Sequence, residues 1–320
     1  MKEMMKMKHA IEASRTIRLH AMTLLTLALS LAMVLVSASA AWAETISGNC
    51  GPDDNPEAVT WTLNDAGTLT VSGTGPMRDF SYDPIVGAEN RYKVKKIVVK
   101  EGVTRIGEAA FADLEMMETA TLPNSLRTIS EYSFRSCICL SDIKIPTGVK
   151  SIPSGAFAFC MDLSTITLPD TINTIDVQAF TLCPCLKKVS FQGTLAQWKK
   201  VSIAAGNNSL KNARLAYKKL AQPMKVKAKT ASASAKKLAK AKQTIAISKA
   251  LSFTTKAQGK VTYAKVSGSG KLAIAKSTGK ITVKKGTKKG TYKIQVKVSA
   301  AGNAEYKAGS KTLTLKVKVK

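Results

Sequence analysis

The chain has 320 residues, 49 Lys+Arg against 21 Asp+Glu, and a formal net charge of +28. Its two histidines, His9 and His20, both lie near the amino terminus. From Glu44 onward there is no imidazole, which excludes Ser-His-Asp and Cys-His nucleophile activation and His-ligated zinc.

In chain order, Lys2, Lys6, Lys8, Arg15 and Arg18 form a basic start, followed by a largely apolar run of 16 residues from Ala21 to Val36 and then Ala41-Trp42-Ala43. This is the pattern of an export signal at residues 1–43, cleaved after Ala43. The apolar run falls short of the roughly 20 residues that a membrane helix needs, so no membrane span is expected after cleavage. The expected location is secreted or cell-surface. Residues 44–95 read as an N-terminal cap with a β-hairpin. Its arms, 59–63 and 68–72, flank the turn Asn64-Asp65-Ala66-Gly67, and Trp61 serves as an apolar plug.

Between Val98 and Val189 a 23-residue pattern is written four times. Ile106, Ile129, Ile152 and Ile175 form one column; Phe111, Phe134, Phe157 and Phe180 form another. Val103, Leu126, Val149 and Ile172 make a third, and Met117, Leu140, Leu163 and Leu186 a fourth. A fixed period of this length with apolar columns marks a leucine-rich-repeat solenoid, because one turn cannot bury its own apolar face and must stack on neighbours. Residues 96–191 are therefore assigned about four turns, each with a strand, a bend and a short helical edge. Pro123, Pro146 and Pro169 end the strands by removing a ladder donor; Lys100-Glu101 stands at the matching place in the first turn. Alternation turns Ala120, Ile143, Ile166 and Val189 inward. It turns Thr119, Thr121, Asp142, Lys144, Thr165, Thr167, Lys188 and Ser190 outward, and these are the candidate ligand surface.

Residues 192–217 read as a C-terminal cap, opened by the capping box Thr194-Leu195-Ala196-Gln197 with Trp198 on the buried side. Residues 218–243, rich in Lys, Ala and Ser, read as a linker. From 244 to 320 short alternating segments recur between Gly-containing turns, the density expected of an immunoglobulin-like β-sandwich.

Charge divides the chain. Residues 44–216 carry 17 Lys+Arg and 18 Asp+Glu, whereas 217–320 carry 27 lysines, no arginine and one acid, Glu305. Without arginine forks, and with few aromatics to stack bases, specific nucleic-acid recognition is not expected. An anionic cell-wall polymer is a candidate partner for Lys284, Lys285, Lys288, Lys289, Lys316 and Lys318. Of the six cysteines, Cys137, Cys160 and Cys183 share one repeat column. Stacked turns about 4.8 Å apart are within disulfide reach, yet three in a column cannot all pair, and buried free thiols are the favoured state. The pairs Cys137/Cys139 and Cys183/Cys185 lie two turns apart, too far for one zinc ion. No cofactor, metal or catalytic residue is expected.

The Val149-x-x-Ile152-x-x-x-x-Phe157 core and the continuations Cys137-Ile138-Cys139-Leu140 and Cys160-Met161-Asp162-Leu163 resemble the BspA-like class of bacterial leucine-rich repeats. So do the flanks, from Trp61 to Leu69, Ser72-Gly73-Thr74-Gly75, and Gly193-Thr194 to Gln197-Trp198. Lys288-Lys289-Gly290-Thr291-Tyr292-Lys293 and Ala300-Ala301-Gly302-Asn303 resemble the Lys-rich Ig-like domains of bacterial surface proteins. The resemblance implies a non-enzymatic surface or secreted protein used in adhesion or recognition. The expectation is an adhesin-like repeat face for an extracellular protein or glycan, tethered or spaced by the basic domain. Its rival is a structural envelope component held electrostatically to anionic wall polymer.

Overall fold

The computed structural model describes residues 45–81 and 83–320, so the expected export signal at 1–43 lies outside the described residues. A nine-stranded sheet runs in the order Ile46–Asn49, Val59–Leu63, Thr68–Gly73, Lys96–Val99, Thr119–Thr121, Asp142–Lys144, Thr165–Leu168, Lys188–Phe191 and Arg214–Ala216. The first three strands pair antiparallel, forming the expected hairpin with one more strand added outside it. From Thr68–Gly73 onward every neighbour is parallel. That is the geometry of a coil whose turns each contribute one strand. Shorter strands at Gly75–Pro76, Val103–Ile106 and Thr128–Ile129, and at Ser151–Ile152, Thr174–Ile175 and Ser202–Ile203, form two further parallel ladders. They carry the repeated isoleucine column.

The columns become one continuous core. Phe111, Phe134, Phe157 and Phe180 are fully buried, with ring centroids 5.3, 5.2 and 5.4 Å apart along the stack. The thiols of Cys137, Cys160 and Cys183 donate to the carbonyl oxygens of Phe111, Phe134 and Phe157 at 3.2, 3.2 and 3.1 Å. All six cysteines are free. Each thiol therefore fills space and ties its turn to the preceding one.

The expected helical edge is corrected. Across each edge the backbone makes consecutive turns, and among the described residues the regular short α-helices lie in the C-terminal cap and the basic domain. Every second edge N–H donates to the next turn instead of to its own helix: Phe111 N to Ser133 O at 2.9 Å, Phe134 N to Ala156 O at 2.9 Å, and Phe157 N to Ala179 O at 2.9 Å. Two left-handed residues per turn enforce this path, at Ala109 and Asp113, Tyr132 and Ser136, Gly155 and Phe159, and Gln178 and Leu182. A residue at positive φ breaks right-handed helix continuity.

The caps close the stack as a solenoid end requires. Trp61 packs across Gly48, where an added Cβ would stand 2.8 Å from the indole. At the other end, Leu195–Trp198 forms a helix opened by the Thr194–Gln197 capping box, and the Trp198 ring lies 5.2 Å from Phe191. Fully buried Asn207 completes the last turn: its side-chain oxygen accepts from Phe180 N at 3.0 Å and its amide donates to Asp176 O at 2.8 Å. A side chain thus supplies the bonds that another repeat would have made.

Residues 218–243 are not a linker. Lys225–Ala228 pairs antiparallel with Leu251–Thr255, Thr230–Ala233 pairs parallel with Gly309–Val319, and Gln243–Ile245 pairs with Ile281–Val283. Lysine, then threonine and serine, alternate there with valine and alanine, so that Val226, Ala231, Ala233 and, on the helix Ala235–Lys240, Leu238 are buried in a second core. That core is shared by a four-stranded sheet (Thr230–Ala233, Gly309–Val319, Gly290–Ala300, Val261–Gly268) and two smaller sheets. The domain is all-β apart from short helical turns.

Candidate functional site

The outward face of the repeat sheet follows from the register. Lys96, Thr119, Asp142, Thr165, Lys188 and Arg214 are paired in sequence across adjacent strands. Lys144, Thr167, Ser190 and Ala216 are paired in a second row, and Thr121 stands in it beside Val98. Ile143, Ile166 and Val189, between these rows, are buried; Ala120 is half-buried against the same core. Thr119, Thr121, Asp142, Lys144 and Lys188 are exposed, and Thr165, Thr167 and Ser190 are half-exposed.

All eight candidates thus share one face. Two cations extend their row beyond them: Lys96, which lies 23 residues before Thr119, and Arg214 beside Lys188. The period could have found Lys96. It could not have found Arg214, which follows Lys188 by 26 residues because the C-terminal cap inserts a helix before its strand.

The face offers hydroxyls in the middle, one carboxylate at Asp142 flanked by Thr119 and Thr165, and adjacent cations at Lys188 and Arg214. Such a set donates and accepts hydrogen bonds to a ligand laid across the strands. Beyond the rows, the first turn is braced by Glu101, whose carboxylate accepts from Asn124 N at 2.8 Å and Ser125 N at 3.0 Å. Those backbone donors, Asn124 foremost, hold its carboxyl below the ordinary value. Glu101 stabilises the bend that proline provides in later turns. Among the described residues no group of His, Cys, Asp and Glu could hold a metal ion.

A second surface was not anticipated. Along the turn edge the exposed large apolar side chains are Met116, Tyr132, Ile138, Phe159, Met161, Val177 and Leu182, and the guanidinium of Arg135 lies 5.6 Å from the Phe159 ring centre.

The six basic candidates do not form one site. Lys284, Lys285, Lys288 and Lys289 occupy the turn between Ile281–Val283 and Gly290–Ala300, whereas Lys316 and Lys318 lie on the last strand of the four-stranded sheet. All six are exposed.

Residues 89–210 match the BspA type leucine-rich repeat region in six copies. That is more than the four turns with complete apolar columns. Among curated proteins no sequence matches the chain. Solved structures similar to it include a leucine-rich repeat protein from Eubacterium ventriosum (21% identity, 47% of this chain and 44% of that one, TM-score 0.37). A leucine rich cell surface protein from Faecalibacterium prausnitzii is similar at 21% identity, covering 48% of this chain and 41% of that one, with TM-score 0.38. A leucine-rich repeat protein from Bacteroides ovatus is similar at 22% identity, covering 48% and 42%, with TM-score 0.37. The chain spans less than half the length of each of these three. Among the described residues no helix is long and apolar enough to cross a membrane.

Proposed function

We propose that this is an exported, non-enzymatic binding protein whose repeat sheet engages an extracellular protein or glycan. The basic domain, in this reading an Ig-like module, spaces it from or tethers it to the cell envelope. The observation that carries the reading is the in-register polar face: the outward side chains of successive parallel strands stand as neighbours, over a core that holds them at fixed spacing. Recognition sites set on rigid elements lose little entropy when they bind. The repeat family matched at residues 89–210 and the cell-surface description of the Faecalibacterium neighbour support placing it outside the cell.

The test uses the full chain and a variant carrying Thr121→Glu, Lys144→Glu, Thr167→Glu and Ser190→Glu. Both are measured for saturable binding to host matrix and to producer envelopes. The reading expects wild-type binding that survives high salt and is lost in the variant. Binding that is unchanged on every surface would show that the face is not the site.

A second reading has its own observation, the concentration of 27 lysines and one acid in residues 217–320. There the protein is a structural envelope component without a specific ligand, held by anionic wall polymer. It predicts retention that falls steeply with salt and ignores the repeat-face substitutions.

A further inference from the structure

In the basic domain, two 11-residue strands, Gly290–Ala300 and Gly309–Val319, pair antiparallel along their whole length. Alternation buries Ile294, Val296, Val298, Leu315, Val317 and Val319 and turns every other residue to solvent. The outward set from the two strands contains four lysines, Lys293, Lys297, Lys316 and Lys318; the rest are Thr, Ser and Gln. Neighbouring strands add Thr230 and Ser232 on one side and Ser267 and Thr262 on the other. The face has no acid and no aromatic side chain.

Register makes this face unusual. Lys293 stands directly opposite Lys316, with Thr230 beside Lys316 on the next strand. Like charges directly opposed across a pair destabilise a sheet. An anion seated between two ammonium groups turns that repulsion into charge-assisted hydrogen bonds. At the hairpin end of the same face lies a groove of about 440 Å³, lined by Lys260, Thr262, Lys297, Ser299 and Ser310 among others. From Lys318 to Ser310 the track measures about 27 Å at 3.4 Å per residue.

We infer that this sheet face is a track for a linear phosphodiester polymer, running from Lys318 past the Lys293–Lys316 pair to the groove at Lys260 and Lys297. The inference rests on the reading of the basic domain as a tether, and it gives that tether a location and a ligand chemistry. Ammonium point charges interleaved with hydroxyl donors suit phosphate oxygens in varied orientations. With no aromatic to stack bases, the face selects a chain whose charge lies in its backbone. The lysines of the turn 284–289 add attraction at a distance but do not lie in the track.

The test measures binding of the full chain to poly(glycerol phosphate), with polyglutamate of matched charge as the carboxylate control, at low salt and at about 0.15 M. One variant carries Lys293→Gln, Lys297→Gln, Lys316→Gln and Lys318→Gln; the other carries Lys284→Gln, Lys285→Gln, Lys288→Gln and Lys289→Gln. Both lose the same charge. The track predicts at least a tenfold loss for the face variant, with a salt slope shallower by about 2 to 3, and less than a threefold loss for the turn variant. A fourfold Lys→Arg version of the face variant keeps the charges and should retain binding, which separates lost contacts from lost folding. Equal losses in the two glutamine variants would overturn the track while leaving electrostatic tethering intact. Equal affinity for polyglutamate would overturn the phosphate assignment. A wild-type chain that binds neither polymer would overturn the tether reading itself.

Discussion

Burial fixes the chemistry of the cysteines. It pushes the Cys50 and Cys183 thiols from 9.0 up to about 12, and Cys137 and Cys160 upward as well, because a thiolate would lose its hydration in an apolar core. Cys139 and Cys185 are only half-buried. A thiol reagent such as dithionitrobenzoate should therefore titrate two thiols quickly in the native protein and all six after unfolding. More than two fast thiols would mean that the column opens readily. The shift also gives stability a pH dependence. The unfolded chain releases these protons near 9.0 while the folded chain retains those of Cys50 and Cys183 to about 12. Above pH 9 the unfolded state therefore binds fewer protons. The stabilisation is complete below that pH and is lost as pH rises through the window to about 12. Urea midpoints at pH 7 and about 10.5 should fall more for wild type than for Cys137→Ala/Cys160→Ala/Cys183→Ala. Identical falls would show that the buried thiols do not set the alkaline loss of stability. The left-handed positions offer another single-residue test. Leu182 combines a φ of 51° with 57% exposure, a costly conformation around a side chain that the fold does not bury. Leu182→Asn should stabilise by about 0.5 to 1 kcal/mol in urea titration, since Asn tolerates that backbone region. Destabilisation would show that the leucine packs usefully despite its exposure.

The stacked ring column holds successive repeats together. Phe157 lies between two nearly parallel partners, at 9° to Phe134 and 10° to Phe180, so truncating it opens a gap in the middle of the stack. Phe157→Ala should cost about 3 to 5 kcal/mol of repeat-domain stability, read from the denaturant midpoint. A cost under about 1 kcal/mol would show that the turns collapse to fill the space. The column was legible in the sequence because its 23-residue period survives in four consecutive turns. So were the hairpin, the capping box and the alternation that points Asp142 and Lys144 outward. The edge was less legible, for a physical reason. Runs such as Ala156-Phe157-Ala158-Phe159 have acceptable helix propensity, and single-turn reasoning cannot see that their donors are claimed by the next turn. Gly155 was the available hint, with a φ of 62° and a position where a Cβ would stand 2.4 Å from the Tyr132 ring. At 109, 132 and 178 the same backbone position is filled by Ala, Tyr and Gln, which do not announce a left-handed turn.

The molecule has two cores, one drawn from Cys50 through Leu210 and the other from Val226 through Val319. The boundary was legible in the change of charge, but the start of the second core was not. Between 225 and 240 its buried residues are small or isolated, Val226, Ala231, Ala233 and Leu238, each surrounded by lysine, serine or alanine. In sequence that composition is the same as a flexible linker; strand pairing with residues nearly 90 positions away makes it structure. The charge division then predicts how each core responds to salt. The repeat region carries nearly balanced charge, while the basic domain places its single acid among 27 lysines and must fold against their mutual repulsion. Raising ionic strength from low salt to about 0.3 M shortens the Debye length to a few ångströms and screens that repulsion. The transition of the basic domain should therefore move to higher temperature by calorimetry while that of the repeat domain stays in place. Leu315→Ala, which removes a fully buried side chain from the second core, identifies which transition is which by lowering only the salt-sensitive one, at a cost of about 2 to 5 kcal/mol. If both transitions moved with salt, or both with Leu315→Ala, the two cores would be one cooperative unit, and the basic domain would have to be treated as part of the repeat fold and not as a separate tether.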